Sequence, residues 1–320
     1  MKNGSKWYMK YVVTILLTVM IIASPFASVS ALAAPDYTDL AYRWAPVHYQ
    51  DTDDTDADAD YITAMNYDGD WIMNNNWEHQ DDDASRLKGS VTYSVTETQS
   101  HYFLIYTFYH PRDWVDYPDF GLDTHENDAE GAMMIVRKDG TTHGKLEGMV
   151  TVYHSDFYSY TPAGSPLTDG QENIDGSIRM VDYGGVSRPT TYQDAKGHGI
   201  YNWNGKNFPG GDGVVYYPDR QTSEAPSSGN DRSVKYTLVN TFAPGGLWDH
   251  RYDPNTFASW GTFKGDNGKD NAANTAWQWN DSDDGPVEAG EMATDPVHLM
   301  EVYFGNLGSY SRTYVYNGYR

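Results

Sequence analysis

The stretch Tyr106-Thr-Phe-Tyr-His-Pro-Arg-Asp113, followed by His125-Glu-Asn-Asp-Ala-Glu130, decides the fold class and locates a candidate site. The first segment is an apolar run that ends at a Pro-Arg-Asp corner, a pattern typical of a buried strand. The second segment carries His, Asp and Glu at positions i, i+3 and i+5. Residues two apart on a strand share a face, whereas His125 and Glu130 would diverge by about 140° on a helix. The spacing therefore favours two strands that carry one polar site.

The candidate site has four metal-competent side chains within eighteen residues: Asp113, His125, Asp128 and Glu130. Asp128 and Glu130 would point the same way on a strand, and His125 could reach them from the preceding turn. Three carboxylates and one imidazole form a hard, oxygen-rich donor set, which favours Ca²⁺ or Mg²⁺ and is compatible with Mn²⁺. Solvated charges at strand ends are the alternative that the spacing leaves open.

The two motifs resemble the signature of the necrosis- and ethylene-inducing-like proteins (NLPs), a family of cytolysins. That signature reads Tyr-x-Trp-Tyr-x-Pro-Lys-Asp, followed by Gly-His-Arg-His-Asp-Trp-Glu. The matching positions are Tyr106, Phe108, Tyr109, Pro111, Arg112, Asp113, His125, Asp128 and Glu130. The resemblance implies that the four candidate ligands bind a divalent cation. The departures are Thr124, Asn127 and Ala129, which stand where the family has Gly, His and Trp.

Other segments resemble the related vacuolar protein sorting-associated protein 62 family and its bacterial secreted relatives. These segments are residues 42–49, 66–71 with 76–78, 198–201, 210–216, 279–286 and 295–298. Each is weak by itself, and together they span most of the chain.

The first 33 residues have the pattern of a secretory signal peptide. Lys2, Lys6 and Lys10 precede the apolar run 12–23, and Ala31-Leu-Ala33 forms an A-x-A cleavage site. The apolar run is about a dozen residues, shorter than the roughly 20 that a spanning helix needs, so a retained anchor is the weaker alternative. We predict a secreted, extracellular protein whose residues 34–320 form a single β-sandwich domain without a transmembrane segment.

The charge balance restricts the class of partner. The chain has 45 acidic and 22 basic residues, a formal charge of -23 and no cysteine. Cleavage would remove three lysines and no acidic residue, which moves the charge to -26. Such a surface repels nucleic acid and anionic lipid, and no basic patch interrupts it, so nucleic-acid binding is excluded as a function.

The rest of the chain predicts an all-β fold with short peripheral helices and long loops. Strands are predicted at 90–95, 102–109, 131–137, 149–154, 213–217, 234–240 and 312–316, and short helices at 37–44 and 295–304. We predict long loops with few strands at residues 155–212 and 241–294. The acidic run 51–60 lacks the Gly and Glu of a calcium-binding EF-hand loop, so a solvated loop is favoured over a weak calcium site.

Four further residues are candidates for a cleft that faces a ligand: Asp70, Trp71, His198 and His250. His198 lies in a Gly-His-Gly turn, Asp70 and Trp71 lie in another turn, and His250 follows a Trp-Asp pair. Each could equally be an ordinary exposed loop residue. The sequence carries no Gly-x-Ser-x-Gly or His-Glu-x-x-His motif, and no catalytic residue is assigned.

These observations predict a secreted, divalent-cation-dependent binding protein whose partner is a sugar or a glycolipid headgroup. A cation would bridge an acidic protein to an oxygen-bearing ligand. Two alternatives stay open. One is a metal-dependent hydrolase of phosphoester or glycosidic bonds, with Glu130 or His198 as the base. The other is a secreted structural protein in which the metal only stabilises the fold.

Overall fold

Two long neighbouring strands form the centre of the molecule, and both are buried on their two faces. A computed structural model describes residues 36–118 and 120–320. The predicted signal peptide lies outside the described residues. On the central strand, Phe103 and Ile105 pack into one hydrophobic cluster, while Leu104 and Tyr106 pack into another on the opposite side. This two-sided burial is what the unbroken apolar run at 102–109 predicts.

The helices are α1 (Tyr37–Trp44), α2 (Asn76–Gln80), α3 (Glu291–Thr294) and α4 (Pro296–Tyr303), and 3-10 turns lie at Met73–Asn75, Ala84–Arg86 and Leu247–His250. The first strands are β1 (Val47–Asp51), β2 (Ser90–Thr98), β3 (His101–Asp113), β4 (His125–Arg137), β5 (Lys145–Tyr153) and β6 (Asp156–Thr161). Short strands follow: β7 (Thr168–Asp169), β8 (Gly176–Ser177), β9 (Met180–Tyr183), β10 (Val186–Gln193) and β11 (Ile200–Tyr201). The last are β12 (Gly213–Pro218), β13 (Val234–Asn240), β14 (Phe257–Ser259), β15 (Thr262–Phe263), β16 (Phe304–Gly305) and β17 (Tyr314–Asn317).

Thirteen of these strands form one mixed sheet in the order β11-β10-β1-β12-β13-β2-β3-β4-β5-β6-β8, with β17 paired to β2 and β9 paired to β10. The strands from β2 to β6 pair in antiparallel fashion. Parallel pairing joins β1 to β10, β12 to β13 and β13 to β2. The sheet curls into a half-barrel. The predicted all-β class with short peripheral helices is therefore confirmed.

Each face of the sheet carries its own layer. Leu40, Ala41 and Trp44 of α1 belong to the cluster on one face. On the other face, Met292 of α3 and Leu299 of α4 pack with residues of the 247–287 segment. The buried positions of α1 recur at helical spacing, so its burial follows from the sequence pattern.

The prediction for residues 155–212 is wrong, because β6 to β11 all lie within this range. Most of these strands have only two to six residues, and they lack a clean apolar alternation. Two of them also take partners that are distant in the sequence, since β7 pairs with β16 and β10 pairs with β1, and a local pattern does not reveal such pairings.

Candidate functional site

The end of β3 and the start of β4 line a cavity of about 610 Å³. All four predicted ligands, Asp113, His125, Asp128 and Glu130, contribute to its wall. The strand ladder sets their positions, because Asp113 pairs with His125 across the two strands. The structure therefore brings together the residues that the sequence singled out.

The backbone at Asn127 explains how His125 and Asp128 reach one cavity. Residues three apart on a regular strand point to opposite faces. Asn127, between them, has a φ of 60°, in the left-handed region that Asn tolerates better than most residues. This local reversal interrupts the alternation, so both side chains line the same space.

The Asn127 side chain itself points away from the cavity into the protein. Its Oδ1 accepts hydrogen bonds from Asn76 Nδ2 at 2.9 Å and from the Tyr109 hydroxyl at 2.6 Å. Its Nδ2 donates to the carbonyls of Met73 at 2.9 Å and Lys264 at 3.1 Å. Asn127 thus fastens β4 to the segments that cover it and to the Tyr109 hydroxyl of β3.

Asp113 and His125 face each other at the mouth of the cavity, with His125 Nε2 3.6 Å from Asp113 Oδ2. The other ring nitrogen, Nδ1, lies 2.8 Å from the Asn127 carbonyl oxygen, which fixes the ring. Burial raises the pKa of Asp113 to about 8, and the charge of Asp128 adds to this effect. Burial lowers the pKa of His125. Both groups are therefore held near neutrality by their surroundings.

Asp128 is bound to His198, a residue predicted to face the site. His198 is fully buried and donates from Nδ1 to Asp128 Oδ2 at 3.0 Å and from Nε2 to Asp60 Oδ1 at 3.2 Å. Burial acts to lower the pKa of His198, but these two hydrogen bonds outweigh it and raise the pKa to about 10. Burial likewise opposes ionisation of Asp128, yet the bond from His198 holds its pKa below the ordinary value. The pair is a carboxylate and an imidazolium.

Glu130 is 4% exposed and is incompletely paired. Its Oε1 accepts from the His154 backbone N–H at 2.6 Å and lies 3.2 Å from His154 Nδ1. Its Oε2 is buried and has no hydrogen-bond partner among the described residues. Burial raises the pKa of Glu130 to about 7, and the hydrogen bond with Glu130 raises the pKa of His154 to about 9.

Three site residues escaped the sequence analysis: Asp60, His154 and Lys196, which also lines the cavity. Asp60 belongs to the acidic run 51–60, and the expectation that this run is a solvated loop is wrong there, since Asp60 is fully buried. Its side chain accepts from His198, from the Trp114 indole N–H and from backbone amides. Neither a motif nor a spacing signals these contacts, because each joins distant parts of the chain.

The other predicted cleft residues lie elsewhere. Trp71 stacks on His250 with ring centroids 4.5 Å apart, and Trp71 lines a separate cavity of about 210 Å³. The Asp70 carboxylate accepts from the Ile72 backbone N–H and stabilises its own turn. The structure thus brings His198 to the predicted ligands and does not bring Asp70, Trp71 or His250 there.

Two other groups of carboxylates are close enough to hold an ion. In each, three ligand atoms lie within 4.8 Å of one another: Asp56 with Asp58 and Asp81, and Asp156 with Asp281 and Asp284. The four predicted ligands do not converge so tightly, because Asp128 and Glu130 are drawn to His198 and His154. Acidic groups that could bind a cation therefore exist at more than one place among the described residues.

No helix in the described part of the chain combines the length and the apolar composition needed to cross a membrane. Comparison with protein-family models gives no match. Comparison with curated proteins gives none either.

Comparison with solved structures does give matches. One, described as "Toxin fold for microbial attack and plant defense", has 12% identity over 63% of this chain and 72% of that chain, with a TM-score of 0.31. A second is necrosis and ethylene inducing protein 2 from the causal agent of cocoa's witches' broom disease, with 13% identity, 53% and 69% coverage and a TM-score of 0.30. A third is an NLP in complex with glucosamine, with 13% identity, 68% and 69% coverage and a TM-score of 0.26. The second and third of these solved structures are described as NLPs.

Proposed function

We propose that the protein is secreted and binds a sugar or glycolipid headgroup through a divalent cation held by Asp113, His125, Asp128 and Glu130. Ca²⁺ or Mg²⁺ suits this donor set best, since three of the four side chains offer oxygen. The observation that carries the proposal concerns Glu130, a residue that lines the cavity: its buried Oε2 has no hydrogen-bond partner among the described residues. A buried carboxylate oxygen left in this state is costly, and a cation would satisfy it.

The electrostatics support this reading. Asp113 and Glu130 both have raised pKa values, so they hold protons that a cation can displace. The cavity has room beyond the four side chains for a ligand, since its volume lies within the range of small-molecule sites. A cation there would present its open positions to the oxygens of a sugar and offset the negative charge of the protein.

The hydrolase alternative lacks a comparable observation. His198 has both ring nitrogens engaged by carboxylates and is fully buried, so it has no free lone pair with which to act as a base. Glu130 is the other candidate base, and it is assigned here to the cation.

Calorimetric titration with Ca²⁺ and with Mg²⁺ tests the site. Asp113→Asn and Glu130→Gln should each abolish most cation binding, and the double variant should do little more, because the two residues would share one ion. Asp54→Ala, in the acidic run, should bind like the wild type. Loss of binding in Asp54→Ala together with wild-type binding in Glu130→Gln would place the ion in the acidic run and refute the proposal.

A headgroup partner is tested separately. The cation-loaded protein should bind vesicles that contain a glycolipid in preference to vesicles of neutral phospholipid, and EDTA should release it. Equal binding to both vesicles, or binding that survives EDTA, would contradict a cation bridge to the sugar.

A further inference from the structure

A second cavity, also of about 610 Å³, lies beside the first and shares His154, Lys196 and Gly197 with it. It is built by the end of β1, the turn between β10 and β11 and the segment before β12. These elements meet there because β1 pairs with both β10 and β12 in the sheet. Strand order therefore gathers acidic residues that are far apart in the sequence.

The wall of this cavity has an excess of negative charge. Five carboxylates line it, namely Asp51, Asp53, Asp54, Asp194 and Asp212. Lys196 neutralises only Asp53, at 2.8 Å, and also pairs with Asp116 outside the cavity. Within the described chain, the other four carboxylates form no ion pair with a Lys, Arg or His side chain.

Asp51 is the most unusual of these groups. Its side chain is buried, with 7% of the residue exposed, and its Oδ1 has no hydrogen-bond partner among the described residues. Its Oδ2 accepts from the Tyr192 hydroxyl at a long 3.4 Å. The same hydroxyl also interacts with Asp194. A hydroxyl has one proton, so it can donate to only one of the two carboxylates at a time.

Asp51 thus lacks a donor for one of its carboxylate oxygens, and Asp194 competes with it for the Tyr192 proton. Burial raises the pKa of Asp51 to about 7, with the charge of Asp194 adding to the effect, and burial also raises the pKa of Asp194. Among the described residues, the groups whose ligand atoms converge within 4.8 Å include none of the carboxylates of this cavity. An extended cation could reach several of these separate carboxylates and supply the donor that Asp51 lacks.

We propose that this second cavity binds a small aliphatic polyamine, with one ammonium group between Asp51 and Asp194. An ammonium group has three donors, which can serve both carboxylates at once. Two further carboxylates of the cavity, Asp54 and Asp212, would pair with a second ammonium group of the same polyamine. The Tyr153 ring in the wall offers an aromatic surface to the cation and to the methylene groups between the charges.

Spermidine is a suitable probe, and calorimetry in about 150 mM salt with EDTA keeps the neighbouring cation site empty and screens loose surface binding. The wild type should bind one spermidine per chain. Asp51→Asn should weaken binding about tenfold or more, since it removes a buried charge partner. Asp182→Asn, which removes an exposed carboxylate of β9 outside the cavity, should change affinity about twofold or less.

Asp51→Asn should stay folded, because it removes a buried charge that lacks a full set of partners. If it does not fold, the partly exposed Asp194→Asn serves in its place, with the same expected loss. Absence of spermidine binding, binding of several spermidines per chain, or equal affinity in Asp51→Asn and Asp182→Asn would overturn the proposal. Since EDTA is present throughout, failure of the cation site does not affect the result.

Discussion

Asn127 and Glu130 lie three residues apart on β4, are buried to almost the same degree, and have opposite hydrogen-bond states. Asn127 is fully buried, and its amide makes four hydrogen bonds, three to the segments that cover the strand and one to Tyr109 of β3. Glu130 is 4% exposed, and one of its carboxylate oxygens has no partner among the described residues. The same strand thus carries a buried amide whose hydrogen bonds are all made and a buried carboxylate whose hydrogen bonds are not.

The difference separates stability from binding. A buried amide with every donor and acceptor satisfied fixes the position of chain segments. A buried carboxylate with an unsatisfied oxygen destabilises the folded protein when no ligand is bound. A bound cation removes this cost and stabilises the folded state. Substitutions at the two residues should therefore affect the protein in opposite ways.

The largest effect is expected for Asn127→Ala. The carbonyls of Met73 and Lys264 would lose their donor, and Ala adopts a left-handed backbone poorly, so the free energy of unfolding should fall by about 3–5 kcal/mol. Urea denaturation in EDTA measures it. Asn127→Gly, which accepts a φ of 60°, should recover about 1 kcal/mol of the loss. If Asn127→Ala lowers the free energy of unfolding by less than about 1 kcal/mol, the hydrogen bonds of the Asn127 amide do not stabilise the fold.

Glu130→Gln should behave in the opposite manner. In EDTA the free energy of unfolding should fall by no more than about 1 kcal/mol, because Gln keeps an acceptor for the His154 amide and removes a buried charge. At a cation concentration of about 100 times Kd, the wild type should gain about 2.7 kcal/mol and the variant far less. Urea denaturation with and without Ca²⁺ measures both quantities. An equal gain in the two proteins would place the ion elsewhere.

The pH dependence should also distinguish the two residues. The pKa of Glu130 rises from its ordinary 4.5 to about 7 in the folded protein, so the folded state holds the proton more tightly than the unfolded state. The stability that this proton provides is complete below pH 4.5 and is lost as the pH rises through 7, a loss of about 3 kcal/mol. In EDTA, Glu130→Gln should flatten this part of the stability curve, whereas Asn127→Gly should leave its slope unchanged. If the slope of stability against pH persists in Glu130→Gln, groups other than Glu130 cause it.

The smallest effect is expected for His125→Ala. Hard cations bind oxygen in preference to nitrogen, so removal of the imidazole should weaken cation affinity about threefold to tenfold, less than Asp113→Asn does. Calorimetric titration compares the two variants at one pH. A larger loss in His125→Ala than in Asp113→Asn would point to a softer metal with a stronger preference for imidazole.

The local sequence determined the central strands and one end of the site. The apolar run 102–109 predicts β3 because burial on both faces leaves no polar alternation, and Asp113 and Glu130 follow from the motifs at its end and on its neighbour. The bounds of α1 were also predictable, since its capping Asp36 and its apolar spacing are both local. These features depend on residues that are close along the chain.

Tertiary structure decided how the site is completed. His198 donates to Asp60 across 138 residues, and His154 meets Glu130 across 24, so no spacing rule relates these partners. The second cavity depends in the same way on β1 lying between β10 and β12, which brings Asp51 to Tyr192 and Asp194. Propensity and periodicity act over a few residues, whereas strand order is set by the packing of the whole sheet, and it is strand order that puts these charges together.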